Sequence, residues 1–124
     1  MPFTTITAVV AQLPSTNLER TSQFYRQQLG CREVGRYPGL LLLKWEEQEL
    51  HFWLTIDATP GSCYVRVQGI EGLHAAYAAV PGLVRAEHTL AVRAWGMKEF
   101  HLLDPDGNLL KFGEPVEWGL NDQP

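Results

Sequence analysis

The sequence predicts an α+β protein of two tandem βαβββ modules, each a curved mixed sheet with one helix on one face. Three observations carry this. The order strand, helix, strand, strand, strand can be read twice along the chain. Residues of the first copy recur in the second at one constant spacing, Leu18-Glu19 as Ile70-Glu71, Tyr25 as Tyr77 and Gly30 as Gly82, and self-similarity at a fixed period marks a repeated unit. Finally, Lys98 to Leu103 and Asn108 to Phe112 are strand-like arms joined by Asp104-Pro105-Asp106-Gly107. Proline presets φ, aspartate caps its own backbone and glycine accepts positive φ, so these four residues make a tight turn. Module one then spans about 1–58, module two about 62–115, and 116–124 is a tail. Each helix covers one sheet face and leaves the other open. Two modules side by side wall a cleft with those open faces, because either alone would leave an apolar face wet.

Each element has a local reason. Phe3 to Gln12 is mostly apolar or β-branched and is expected as a strand, broken by Leu13-Pro14-Ser15-Thr16-Asn17. Leu18 to Leu29 follows as a helix. Thr16 or Asn17 caps it, Glu19 suits the positive end of its dipole and Gly30 stops it. Leu18, Thr21, Phe24, Tyr25 and Leu29 fall on one face. Cys31 to Arg36, Leu40 to Trp45 and Leu50 to Ile56 are strands, with Glu46-Glu47-Gln48-Glu49 as a polar hairpin tip. After the Asp57 to Ser62 linker the pattern restarts: strand Cys63 to Gln68, helix Ile70 to Val80 stopped by Pro81-Gly82, strand Leu83 to Glu87, a less regular arm His88 to Ala94, and the hairpin. Asp104, Asp106 and Asn108 also resemble a calcium loop, but the glycine comes too early, no glutamate closes it and both flanks read as strands.

At 124 residues and 14.0 kDa the chain is long enough for one domain with an ordinary core, and 45% hydrophobic with 19% charged residues is a globular composition. A formal charge of −4 argues against a nucleic-acid surface and slightly favours a cationic ligand. No apolar run is long enough to cross a bilayer, and no basic stretch followed by an apolar core opens the chain. Cys31 and Cys63 are too few and too far apart for a metal motif, so reduced thiols in a cytoplasmic protein are expected.

Strand alternation assigns faces. Leu50, Phe52 and Leu54 are expected to face the helix, which leaves His51 and Trp53 for the cleft. Leu110 and Phe112 face the helix and leave Leu109 and Lys111; Cys63, Val65 and Val67 leave Tyr64 and Arg66. The competing reading of each position is a solvated strand face.

On these residues the chain resembles the glyoxalase / bleomycin-resistance / extradiol-dioxygenase superfamily, the vicinal-oxygen-chelate fold. Leu13-Pro14-Ser15 followed by Leu18, Thr21, Phe24-Tyr25 and Leu29-Gly30 is similar to its first helix. Trp95-Gly96, Glu99-Phe100 and Leu103 to Leu110 are similar to its last hairpin. Within the superfamily, Leu13-Pro14-Ser15, Ser62-Cys63 and Trp95-Gly96 resemble the bleomycin-resistance proteins. Enzymes of the superfamily hold a divalent metal with His, His and Glu or close variants, and the matching positions here are Val10, Ser62 and Lys111. Valine has no donor atom, serine is a weak neutral ligand and a lysine ammonium repels a cation. The resemblance therefore implies a binding protein with no catalytic residue, metal or cofactor. His51, His74, His88 and His101 remain as donors without an obvious point of convergence.

The resemblance further implies that Tyr37, from the Arg36-Tyr37-Pro38-Gly39 loop, and Trp95 sandwich the bithiazole of a bleomycin-like antibiotic. The candidate ligand-binding set is Tyr37, His51, Trp53, Tyr64, Arg66, Trp95 and Lys111, with Glu33, Glu46, Glu47 and Glu99 attracting a cationic tail. It implies a homodimer, of a kind in which the N-terminal strand is often exchanged. Trp45 reads as a strand-end packing residue and Trp118 as part of a covering tail. The short Gly35 to Gly39 loop and the charge of Lys111 depart from known drug binders. Two alternatives stand beside sequestration: a metal-dependent lyase, isomerase or thiol transferase, and a binding or antidote domain for another aromatic metabolite.

Overall fold

Two copies of one strand order make up the chain. A computed structural model describes residues 4–116, and the chain divides into two compact units, Met1–Gly61 and Ser62–Pro124. The first contains β1 (Ala11–Ser15), α1 (Leu18–Leu29), β2 (Arg32–Tyr37), β3 (Leu40–Trp45) and β4 (Gln48–Leu54). The second contains β5 (Ser62–Arg66), α2 (Ile70–Ala78), a 3₁₀ turn at Ala86–His88, β6 (Ala91–Val92), β7 (Met97–Leu103) and β8 (Leu109–Pro115). Their sheets run β1-β4-β3-β2 and β5-β8-β7-β6. In each, the first strand pairs parallel with the last and the others pair antiparallel. The α+β class and the two βαβββ units are those expected from the sequence.

Helix α1 is closed at both ends by its own neighbours. Asn17 Oδ1 accepts the Arg20 amide at 2.9 Å. Gly30 takes φ 80° and lets the Cys31 amide return to the Tyr25 carbonyl at 3.0 Å, a left-handed step that only glycine makes cheaply. Thr21, Ser22, Tyr25 and Leu29 are its buried face. Tyr25 stacks at a tilt on Phe52, 4.8 Å between centroids, and meets Trp45 edge-on at 6.3 Å. Leu13, Leu41, Leu43, Leu50 and Phe52 complete the core of this unit. In the second unit Tyr77 packs edge-on against Phe100 and Phe112, which stack on each other at 4.8 Å and 11°. Ile70, Leu102 and Leu110 fill the rest, each at most 1% exposed.

Several elements differ from expectation. The first strand is Ala11–Ser15, and residues 4–10 form no strand. The supposed break is the strand, because Leu13 and Ser15 are the residues that bury under α1 while Ile6 and Val9 stand 82% and 94% exposed. Pro14, which lacks an N–H, is tolerated because β1 is an edge strand. Leu83 to Glu87 is not a strand. Turns and the 3₁₀ segment replace it, and the strand that completes the sheet is Ala91–Val92. Helix α2 ends at Ala78, β4 begins at Gln48, and Leu54 is 49% exposed at its strand end rather than packed under the helix. The hairpin tip is only Glu46-Glu47, with Glu46 at φ 53°. Trp118 lies outside the described residues.

Candidate functional site

The open face of the first unit is aromatic and apolar. Register places Tyr37, Leu40, Trp53 and Pro14 in one row across the strands, and Gly35, Leu42, His51 and Gln12 in the next. Tyr37 and Trp53 are 58% and 43% exposed. A Cβ on Gly35 would lie 3.0 Å from Leu42 Cδ1 and 3.5 Å from Tyr37 Cε2, so those side chains crowd over the glycine. His51 is half-buried and its Nε2 lies 3.0 Å from Glu49 Oε1.

The open face of the second unit is polar and is built around a carboxylate. Tyr64, Lys111 and His101 form one row; Arg66, Gly113 and Glu99 form the next. Glu99 is 3% exposed. Its Oε2 accepts the Tyr64 hydroxyl at 2.6 Å and the Trp95 indole N–H at 3.1 Å, and its Oε1 lies 3.8 Å from both Arg93 Nε and His101 Nε2. Burial by itself would raise the Glu99 pKa. The Tyr64 and Trp95 donors and the His101 and Arg93 charges outweigh it and hold the carboxyl below its ordinary range. Burial and the same carboxylate push the Tyr64 hydroxyl up to about 12. Tyr64 reaches Glu99 by lying across Gly113, where an added Cβ would come within 1.9 Å of its Oη.

Trp95 is thus a ring that is 65% exposed yet tethered through its nitrogen. Beside this network, His101 Nε2 and His88 Nδ1 are buried without a hydrogen-bond partner, and their rings lie 5.7 Å apart. Burial, with Arg93, keeps His101 below the usual imidazole pKa.

The candidate residues therefore gather in two sets, Tyr37, His51 and Trp53 on one unit and Tyr64, Arg66, Trp95 and Lys111 on the other. Two of the acids expected to attract a cation are engaged elsewhere. Glu33 accepts from Ser22 at 2.6 Å and pairs with Arg36 at 2.7 Å, and Glu99 is the buried anchor just described. The sequence marks Glu99 as part of the last hairpin and as an acid for a cationic tail, and gives Gly113 no role. A glycine inside a strand is a sign of close approach, and Tyr64 is what approaches.

The positions matched to metal ligands in related enzymes hold half-buried Val10 before β1, Ser62 at the start of β5, and Lys111 in mid-β8. Among the described residues no three or more His, Cys, Asp or Glu side chains are grouped to hold a metal ion. His74 is used at 3.0 Å by Thr89 and packs on Phe100. Cys31 and Cys63 are free thiols, the first pushed up to about 12 by burial. Among the described residues no helix is long and apolar enough to cross a membrane.

No family model matches the chain. A bleomycin resistance protein of Geobacillus stearothermophilus is 23% identical over 128 residues, covering 87% of this chain and 96% of that one. Among solved structures, the bleomycin resistance determinant of transposon Tn5 superposes with a TM-score of 0.79 at 25% identity, covering 89% of this chain and 98% of that one. A bleomycin-binding protein complexed with bleomycin superposes with a TM-score of 0.72 at 25% identity, with the same coverage. By these likenesses the chain has the fold of the glyoxalase/bleomycin resistance/dioxygenase proteins and is similar to the bleomycin resistance proteins among them. The curated relatives it matches there carry the name bleomycin resistance protein.

Proposed function

We propose that the protein is a non-catalytic binder that sequesters a planar, bleomycin-like antibiotic and so confers resistance, acting as a homodimer. The observation that supports this most is Trp95, a large exposed ring on the open sheet face whose nitrogen is held by buried Glu99. A flat surface already fixed in place loses little freedom when a heteroaromatic ring stacks on it, so more of the stacking energy appears as affinity. The likeness to a bleomycin-bound structure supports the choice of ligand. The residues at Val10, Ser62 and Lys111 speak against the metal-dependent alternative, because none donates a lone pair well to a hard cation. Tyr37 and Trp95 are the expected stacking pair, from whichever chains they come. No bond is broken, and protection depends on affinity and on the amount of protein.

Titration calorimetry with bleomycin tests the reading. The wild type should bind, and Trp95→Ala should weaken binding about ten- to a hundredfold while the protein still folds, with a modest fall in melting temperature from the bond lost to Glu99. Absence of binding to the wild type, or a Trp95→Ala protein that unfolds while its folded fraction keeps full affinity, overturns it. Light scattering should give a dimer, with the apolar segment at 4–10 engaged in the contact; a monomer at micromolar concentration would remove that part.

A further inference from the structure

The chain as a whole carries a formal charge of −4, yet the open face of its second unit is positive. Arg66, Arg93 and Lys111 project there against one carboxylate, Glu99. That carboxylate is buried and already receives two hydrogen bonds and a nearby guanidinium. Among the described residues neither Arg66 nor Lys111 has a carboxylate partner. Arg66 is exposed, and its guanidinium lies 5.8 Å from the centroid of the Tyr64 ring. Lys111 is half-buried on β8, flanked in register by Tyr64 and His101. Half-buried Lys111 is flanked by groups that bring it no negative charge. Its ammonium is a candidate for a partner that the described residues do not supply.

We propose that this face takes the oxyanion of a planar aromatic ligand, with Arg66 and Lys111 meeting the anionic group while Tyr64 and Trp95 contact the ring. The inference rests on the reading of this face as a binding surface, and it narrows the ligand class. A carboxylate, sulfonate or phosphate carried on an aromatic system fits beside Arg66 and Lys111, and a cationic tail on the same ligand would have to lie away from them. This reverses the preference that net charge alone suggests, because a ligand feels the few charges within a Debye length of it more than the total.

The test uses the full chain and three probes of one shape: naphthalene-2-carboxylate, naphthalene-2-carboxamide and 2-(aminomethyl)naphthalene, titrated at low and high sodium chloride, with bleomycin alongside. The carboxylate should bind about tenfold more tightly than the amide, the ammonium should bind weakest, and salt should erode the difference. Lys111→Gln and Arg66→Gln should each cut carboxylate affinity about three- to tenfold and lower that of the amide by less. Arg66 is exposed, so its variant keeps the test valid should Lys111→Gln fold poorly; melting curves check both. Equal binding of the three probes, a preference for the ammonium, or indifference to both substitutions overturns the proposal. Bleomycin binding without an anion preference sinks this inference and leaves sequestration standing. An anion preference without bleomycin binding does the reverse. Binding of no probe removes both.

Discussion

Helix α1 carries its own cap, and helix α2 borrows one. Asn17 serves the first from the adjacent residue. The second begins at Gly69, which has no side chain to offer, and its first amides at Gly69 and Ile70 are taken at 3.2 and 3.0 Å by Glu114, from the far strand β8. The open faces differ more. By register, Trp53 of the first unit stands where Gly113 stands in the second, Leu40 where Glu99 stands, and Leu42 where His101 stands. Under the helices the two units stay alike: Tyr25 and Tyr77 fill the same place, and Phe52 matches Phe112. Helix-facing positions are held by close packing, where any change of volume is felt. Open-face positions are free of that constraint, so one became an aromatic wall and the other a buried carboxylate with tethered rings.

Substitutions under the two helices should reveal that likeness with the largest effects. Leu110→Ala and Leu50→Ala, at matching places in the two sheets, each remove a side chain that is at most 3% exposed. Each should cost about 2–5 kcal/mol in urea melts through the cavity left behind. A difference between them beyond that range would break the equivalence of the cores. The open faces should then separate the units. Gly113→Ala drives a Cβ into Tyr64, and displacing that ring should cost about 1–3 kcal/mol. Trp53→Ala at the matching place removes a partly exposed ring and should cost less. Combining Gly113→Ala with Tyr64→Ala should recover part of the loss, which a double-mutant cycle would read as coupling; strict additivity would count against the contact.

The caps predict smaller changes. Asn17→Ala and Glu114→Ala should each cost about 1 kcal/mol in thermal melts. Only the second should diminish on adding salt, because it involves a full charge on the helix dipole. The smallest effect is a pH dependence confined to the second unit. The folded pKa of Glu99 lies below its ordinary value of 4.5. Its network therefore contributes fully above that pH and fades as pH falls through the lower, folded value. The melting-temperature gap between the parent and Glu99→Gln should be flat from neutral pH down to about 5 and should narrow below it. Tyr64, Trp95, Arg93 and His101 face this carboxylate. A His101→Gln background removes the one neighbour that titrates nearby. A gap that widens on acidification would show that Glu99 is not held ionised.

Local signals in the sequence were enough for much of the scaffold. Asn17, Glu19 and Gly30 bounded α1 because capping acts within one turn of chain. The Asp104 turn was readable because its bonds are internal: Asp104 Oδ1 accepts the Asp106 and Asn108 amides at 3.0 and 2.9 Å. Alternation placed Leu110 and Phe112 inward, and Tyr64 and Trp53 outward, since strand parity is a local property. The first strand was misplaced because two apolar segments, 4–10 and 11–15, compete in composition. Only the parallel register with β4, which puts Leu13 against Phe52, selects the second.

What the sequence determined by itself is the duplicated scaffold, the identity of α1 and its stops, and the residues that turn outward, all set by spacing and by bonds between near neighbours. Tertiary structure decided the rest. It joined Glu99 to Tyr64 across 35 residues of chain, made Gly113 the floor beneath that ring, and sent Glu114 to cap a helix 44 residues away. Hydrogen bonds and van der Waals contacts act over a few ångströms in space, whatever the separation along the chain. No periodicity encodes which distant strand will supply the partner.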